Sequence, residues 1–576
     1  MSYDRFLQRL SADEQDFYET KKAAAAFYRL NGIPEEMERA LNQLFLQKPG
    51  DVHGYLANYF TNLCAPARIS RLKGSEVFDA RGQLSVKVEV FCLFCNKEKS
   101  MSSAAIATLC GSKETSLDWK TRSQERADHM TTAVQWINEP LNNMLEAQNP
   151  CDQSQVDHIL SNFFVSHNPE EKNMCDGAKE ESSSSSEPEV TLPSSLPTQT
   201  KDKKSAEKGK ESSAAEKNFP PAALPEPVLP GSLAIGSVSL AVAKAGAQLQ
   251  GIPLYKYIAT LKNHERPTQF HIPVSLVTLL SCGRTSLGKL SLLDEIILIP
   301  KAGQQVKQII TMTLELQKEM MRIINTSTKA GATQVILSDS GAPAVSYDKP
   351  EQPLDLITEA CTNLGLALGT EIHIVLNCAA GEIMDYSKGK YEIATGTLKS
   401  PDELVDMYQA LISKYPAVVA IIDPFRKEDL DQWEKLSHLI GGSCSLLTDM
   451  SCKSKAPPFL GARGYILKHT DETTVSDLVG ITSEHQGSIV MGTTCSEPCC
   501  DDSLSDIAVG LGLNYVKLGG LSGAERMAKY NRLISIEEDL AQEGILASKE
   551  KHGPPLFPQN LQEQSCAAEG RPSYTA

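Results

Sequence analysis

Val516-Lys517-Leu518-Gly519-Gly520-Leu521-Ser522-Gly523-Ala524-Glu525-Arg526-Met527-Ala528-Lys529-Tyr530-Asn531-Arg532-Leu533 reads as a short strand, a glycine-rich turn and a helix. The same alternation runs upstream of it. Apolar runs at Ile372–Leu376, Val418–Ile422, Ser445–Leu447, Tyr465–Leu467, Ile489–Met491 and Tyr515–Val516 are separated by segments of helical pattern. Repeated β-α alternation over about 250 residues is the expectation for a β/α barrel, whose site lies at the C-terminal ends of its strands.

Several of these runs end in polar residues: Asn377, Asp449, Lys468 and Lys517, with Asp423 directly after another. Chains must leave the core somewhere, so a polar strand end is ordinary. Two strand-end lysines and an aspartate in one barrel also suit a pocket for an anionic ligand. The residues alone leave both readings open.

Composition narrows the class. The chain has 576 residues, 41% hydrophobic and 22% charged, as expected of a globular protein with more than one domain. A net charge of −16 argues against a protein built on nucleic acid or anionic membrane, because both require clustered Lys and Arg. No run of about 18 apolar residues suggests a transmembrane helix. The start, Met1-Ser2-Tyr3-Asp4-Arg5, lacks an apolar leader, so a cytoplasmic location is expected, with cytoskeletal association as an added expectation. The 15 cysteines are scattered, which fits reduced thiols. Cys92-Leu93-Phe94-Cys95 and the trio Cys495, Cys499, Cys500 raise zinc as an alternative, but neither comes with a full tetrahedral ligand set.

The amino-terminal part, residues 1–66, reads as a helical module. Ile33-Pro34-Glu35-Glu36 starts a helix, and Met37, Leu41, Leu44 and Phe45 share a face. After Lys48-Pro49-Gly50, Asp51 caps a second helix carrying Val52, Tyr55, Leu56, Tyr59, Phe60 and Leu63. Two short amphipathic helices cannot bury both stripes alone. Residues 69–93 read as a β-hairpin turning at Asp79-Ala80-Arg81-Gly82, followed by helices near 130–147 and 154–164. Residues 167–230 are a Ser-, Glu-, Lys- and Pro-rich insert expected to be disordered. A small-residue helix at 233–248 follows, and 546–576 reads as a flexible tail.

The opening stretch resembles the C-terminal signature of enolases. The resemblance continues through Asp79-Ala80-Arg81-Gly82, Val238–Gly246, Gly251-Ile252-Pro253-Leu254-Tyr255, Asp294–Pro300 and Asp423-Pro424-Phe425. It covers about residues 69–165 and 231–540, in the family's order. The implied fold class is α/β: an α+β capping domain (67–166 and 231–268) and a C-terminal β/α barrel (269–545), with the helical module added. The implied reaction is removal of water from 2-phosphoglycerate to give phosphoenolpyruvate, a glycolytic lyase step. On the matching motifs, Lys468 is the proton acceptor, and Lys517 and Glu295 contact substrate. Asp449 is a Mg²⁺ ligand, with Asn377 a weaker candidate. In this fold the strand that carries Glu295 runs antiparallel, so its start lies at the barrel mouth.

Against the same pattern, other parts are missing. Asn377 and Ile422 stand where two further metal carboxylates belong, and Ala107 where a metal-binding serine does. Ser338 replaces the catalytic glutamate, although Asp339 is adjacent. Ser286 replaces a loop histidine, and Thr493-Thr494-Cys495-Ser496 lacks the phosphate-binding His and Arg. Mg²⁺ is held by charged oxygen ligands, so weak Mg²⁺ binding and impaired catalysis are expected. The alternative is a non-catalytic scaffold. The helices at 33–63 are similar to the dimerisation and docking module of protein kinase A type II regulatory subunits, which accepts an amphipathic partner helix. Expected partners are 2-phosphoglycerate or phosphoenolpyruvate, and a second copy or another enolase.

Overall fold

The computed structural model describes residues 11–109, 119–168, 228–283, 288–327, 336–450, 461–485, 489–494, 497–499 and 501–547. Most of the 167–230 insert, most of the 546–576 tail, and Ser286, Cys495, Ser496 and Cys500 lie outside the described residues. The chain divides into two compact units: residues 1–68 with 92–99, and 69–91 with 100–576.

The first unit contains α1 (Ala12–Leu30), α2 (Ile33–Gln47) and α3 (Val52–Asn62). Pro34 sits in the first turn of α2, and the Asp51 carboxylate accepts the Gly54 N–H at 2.9 Å to cap α3. The Tyr59 hydroxyl donates to Glu36 at 2.7 Å, joining the two helices. Helix α1 buries no residue, although it carries Phe17, Phe27, Tyr28 and Leu30. Its signal is local: a capping box between Ser11 and Glu14 and the alanine run at 23–26. Within α2 only Ala40 is buried, while Ile33, Met37, Leu41 and Phe45 are exposed.

Next come the strands β1 (Arg68–Phe78), β2 (Leu84–Phe94) and β3 (Lys97–Ala104), paired in that order. Asp79 accepts the N–H groups of Arg81 and Gln83 at 2.9 and 2.8 Å, which closes the first turn at the expected place. The second turn, Cys95-Asn96, has φ of 52° and 57°, so the C-x-x-C spans a strand and a two-residue hairpin turn rather than a metal knuckle. The helix expected near 130–147 begins earlier, as α4 (Trp119–Trp136), and passes into a π-turn at Ile137–Leu141 before a last helical turn. Pro140 lies inside that π-turn. Proline has no N–H to continue an α ladder, and a widened turn accommodates it. Three helices follow: α5 (Gln153–His167), α6 (Leu233–Leu249) and α7 (Leu254–Asn263). The small residues of α6 permit close packing, and nearly the whole helix is buried.

Eight strands then close into a barrel: β4 (Val274–Ser281), β5 (Glu295–Pro300), β6 (Ile372–Asn377), β7 (Val418–Ile422), β8 (Ser445–Asp449), β9 (Gly464–Lys468), β10 (Ile489–Gly492) and β11 (Tyr515–Gly519). β11 pairs with β4 to complete the ring. All neighbours are parallel except β5, which is antiparallel to both β4 and β6. The interior is filled by Leu276, Ile297, Ile299, Val375, Val419, Ala420, Ile422, Leu447, Ile466 and Val490. It is therefore a packed core rather than a channel.

Residues 516–533 span most of β11, a glycine turn and the first half of α8 (Ala524–Gln542). Their glycines serve backbone contact. A Cβ on Gly520 would overlap the Gly341 carbonyl oxygen, and one on Gly519 would stand 2.8 Å from that of Ser340. The Gly520 N–H donates to Ser340 O at 2.7 Å. Both clashing atoms are main chain and cannot swing aside. Gly520→Ala is therefore expected to cost about 1–3 kcal/mol, read from urea denaturation midpoints. A loss below a few tenths would mean that the two turns separate freely.

Candidate active site

Strand register brings the polar strand ends together at one mouth. Glu295, the first residue of antiparallel β5, lies opposite Ser281 on β4 and Asn377 on β6, which are the last residues of their strands. Gly492 at the end of β10 pairs with Lys468 on β9 and with Lys517 on β11.

Two ion pairs organise this mouth. Lys517 Nζ lies 2.7 Å from Glu295 Oε2. The Asn377 amide donates to the same oxygen at 2.9 Å, and Thr278 Oγ1 donates to Glu295 Oε1 at 3.3 Å. Burial pushes the Glu295 carboxyl up, but the Lys517 charge and these hydrogen bonds outweigh it, so the group is held below the usual range. Burial pulls the Lys517 ammonium down, and Glu295 more than reverses this. The second pair is Lys468 Nζ donating to Asp449 Oδ2 at 2.6 Å. Both of its members also act electrostatically on Lys517, so the two pairs share one field.

Asp423 sits just past β7 with φ +46°. Its carboxylate accepts Thr448 Oγ1 at 2.7 Å and the Asp449 N–H at 3.4 Å. Burial first, then the charge of Asp449, raises its carboxyl to about 6. Asp294 is likewise raised, by burial and by Glu295 and Glu382.

Two residues gain importance that the sequence reading did not give them. Thr278 supports Glu295, and strand alternation was its available signal, since it shares a face with the interior Leu276. His469 follows Lys468 and is buried, with its imidazole pulled down to about 4, chiefly by burial; it is neutral at physiological pH. With Ala107, Gly492, Thr493, Thr494 and Glu497, it lines a cavity next to the lysine-bearing strands. One oxygen of Glu497 pairs with Lys529, and the other has no partner among the described residues.

Other positions are committed elsewhere. Ser338 Oγ bonds Ser340 Oγ at 2.8 Å and Ala342 O at 3.0 Å. Asp339, the neighbour considered as a replacement acid, makes an ion pair with Arg81 at 3.0 Å. Ala107 bridges Thr470, and the next residue, Thr108, donates to Asp471 at 2.6 Å.

Mg²⁺ requires an octahedral set of oxygen ligands. Ile422 is 2% exposed within the apolar barrel interior. Asn377 turns its amide nitrogen toward Glu295, and Asp449 is engaged by an ammonium. Among the described residues, no three His, Cys, Asp or Glu side chains come together to hold a metal. These residues do not fit a Mg²⁺ site, which calls for several oxygen ligands with carboxylate charge.

The fold and its mouth define a β/α barrel protein with one antiparallel strand and a pair of strand-end lysines facing carboxylates. A family model described as the enolase C-terminal TIM barrel domain matches residues 269–554. The chain is 44% identical to enolase 4 of Danio rerio over 572 residues, covering 97% of this chain and 98% of that protein. It is 42% identical to enolase 4 of Homo sapiens, covering 93% and 91%. It is 32% identical to the enolase of Methanopyrus kandleri over 319 residues, covering 54% and 72%. The chain belongs to the enolase family. Among the described residues, no helix is long and apolar enough to cross a membrane.

Proposed function

We propose that the barrel mouth binds 2-phosphoglycerate or phosphoenolpyruvate and that dehydration of 2-phosphoglycerate is severely impaired. The observation that carries this reading is the Lys468–Asp449 ion pair at 2.6 Å. To accept the proton next to the substrate carboxylate, Lys468 must be a neutral amine. In the ion pair the Lys468 amino group is engaged by Asp449, and that contact has to be given up before the amine can take the proton. Lys517 and Glu295 keep a substrate-orienting role, with Asn377 and Thr278 fixing the Glu295 carboxylate. Departure of the hydroxyl lacks an acid where Ser338 stands. Without charge stabilisation by a metal and without that acid, a loss of roughly a million-fold relative to an intact site is reasonable, each 1.4 kcal/mol being about tenfold.

The test is a coupled assay of the purified chain with 2-phosphoglycerate and excess Mg²⁺, beside Lys468→Ala. A slow turnover that disappears in Lys468→Ala is expected. Equal rates in the two proteins would remove the enzymatic reading. Turnover at an ordinary enolase rate would remove the impairment.

A second reading is favoured by the exposed stripe Ile33, Met37, Leu41 and Phe45 on α2. In it the chain is a cytosolic scaffold whose α2–α3 face pairs with a second copy or another enolase and accepts an amphipathic helix. Leu41→Asp in the full chain is then expected to convert a dimer to a monomer in sedimentation, without loss of helicity. An unchanged oligomeric state would count against it.

A further inference from the structure

We propose that Asp471 is a positioning residue that clamps residues 105–109 to the end of β9 by the chain's own hydrogen bonds, and so holds a fixed wall of the barrel mouth. Asp471 stands three residues beyond Lys468. Its Oδ1 accepts the Thr108 hydroxyl at 2.6 Å, and its Oδ2 accepts the Leu109 N–H at 2.9 Å. Its own N–H donates to Ala107 O at 3.4 Å, beside the bridge between Ala107 and Thr470. A second carboxylate holds the other end of the segment. Asp501 Oδ2 accepts the Ala105 N–H at 3.2 Å and lies 3.1 Å from Lys244 Nζ. Asp471 and Thr108 are 3% and 1% exposed, so little water competes for the bond between them.

Asp471 has φ +46°, a conformation in which glycine is the unstrained residue. Glycine would bring no acceptor, and the clamp uses both carboxylate oxygens. Two neighbours close on it, from α4 and α6. His129 Nδ1 accepts the Gly231 N–H at 3.0 Å, so the proton of the neutral ring sits on Nε2, 3.6 Å from Asp471 Oδ1. The Gly236 N–H donates to Asp471 O at 2.9 Å, and a Cβ at Gly236 would overlap both that oxygen and Ile106 Cδ1. Ile106 and Ala107 line the cavity shared with His469, Gly492 and Glu497. A Cβ at Gly492 would stand 3.8 Å from Lys468 Cγ, so this cavity adjoins the stem of Lys468. Ala107 brings only a methyl group to it. The clamped wall is therefore apolar and set before a ligand arrives, which spares the ligand the entropy of ordering it. That consequence rests on the mouth being the phosphoenolpyruvate site proposed above.

The test compares wild type, Asp471→Ala, Thr108→Val and Thr108→Ser in the full chain. Amide exchange across 105–109 is expected to quicken about tenfold in Asp471→Ala and Thr108→Val, the scale of one lost buried hydrogen bond, with α7 and β7 unchanged. Acetylation of Lys468 by acetic anhydride, mapped by peptide against Lys517, should rise about tenfold in the same two variants as the wall opens. Thr108→Ser keeps the hydroxyl and should match wild type in both readouts. If Asp471→Ala fails to fold, Thr108→Val against Thr108→Ser decides. Unchanged exchange at 105–109 would overturn the clamp, and so would a Thr108→Ser variant as loose as Thr108→Val. Faster exchange with unchanged Lys468 acetylation would overturn its role in the wall. Phosphoenolpyruvate calorimetry separates this proposal from the proposed function. Wild type that binds none removes the proposed ligand of the mouth, and the first two readouts still decide the clamp. Wild type and Thr108→Val that bind it equally would overturn the pre-set wall.

Discussion

Lys517→Ala is expected to destabilise the barrel by about 3–5 kcal/mol at neutral pH, because it leaves the Glu295 carboxylate buried without its counter-charge. The pair lies deep enough for this estimate, with side-chain exposures of 13% and 6%. The pH dependence follows from the two shifts. Glu295 is held low in the fold, so its contribution is present above its unfolded value and fades as pH falls through the lower folded value. Lys517 is held high, so its contribution is present below its unfolded value and fades as pH rises through the higher folded value. The difference between wild type and Lys517→Ala should therefore be a plateau across the neutral range that shrinks at both extremes. Lys517→Ala combined with Glu295→Gln should recover much of the loss, since a neutral amide still accepts from Asn377. Urea denaturation of the three proteins from acid to alkaline pH measures this. A Lys517→Ala cost below about 1 kcal/mol, flat with pH, would show that the pair is solvated rather than buried.

The second large effect concerns metal. Asn377→Asp together with Ile422→Glu adds two carboxylates at the mouth beside Asp449. Without metal, this variant should lose several kcal/mol. Ile422 belongs to the apolar barrel interior, and the carboxylate introduced by Asn377→Asp would face Glu295. Mg²⁺ should restore part of that loss. A ligand at 100 times its dissociation constant stabilises by about 2.7 kcal/mol, readable as a rise in Tm. Wild type should show no such rise at the same Mg²⁺ concentration. A comparable Mg²⁺-dependent rise in wild type would mean that the donor set has been misread. The measurement is thermal, so it stands whether or not either protein turns over substrate.

Legibility followed the range of the physics involved. The barrel strands were readable because a strand buried on both faces is a continuous apolar run, and Val418–Ile422 is one. The Asp79 turn and the Asp51 cap were readable because each is completed within a few residues. The π-turn was not legible, because proline's accommodation depends on the surrounding helix. At the site, Lys468, Lys517, Glu295, Asp449 and Asn377 were named from motif positions. Their mutual pairing was not readable, since β5 and β11 meet only through ring closure. Nor was Thr278 singled out within its apolar strand.

The sequence by itself determined ancestry, the barrel and the residue types at its mouth. It could do so because periodicity, glycine content and motif spacing are local properties of the chain. The tertiary structure decided what those residues are engaged in. In the opening stretch, Arg526 bonds Asp339 O, Lys529 pairs with Glu497, Tyr530 bonds Gly519 O and Arg532 pairs with Asp506. Most of the polar groups of that stretch hold the fold together, and Lys517 alone faces the mouth carboxylates. Whether a strand-end lysine is a base or half of an ion pair depends on which carboxylate arrives beside it. That is set by register and closure across hundreds of residues, not by its neighbours in sequence.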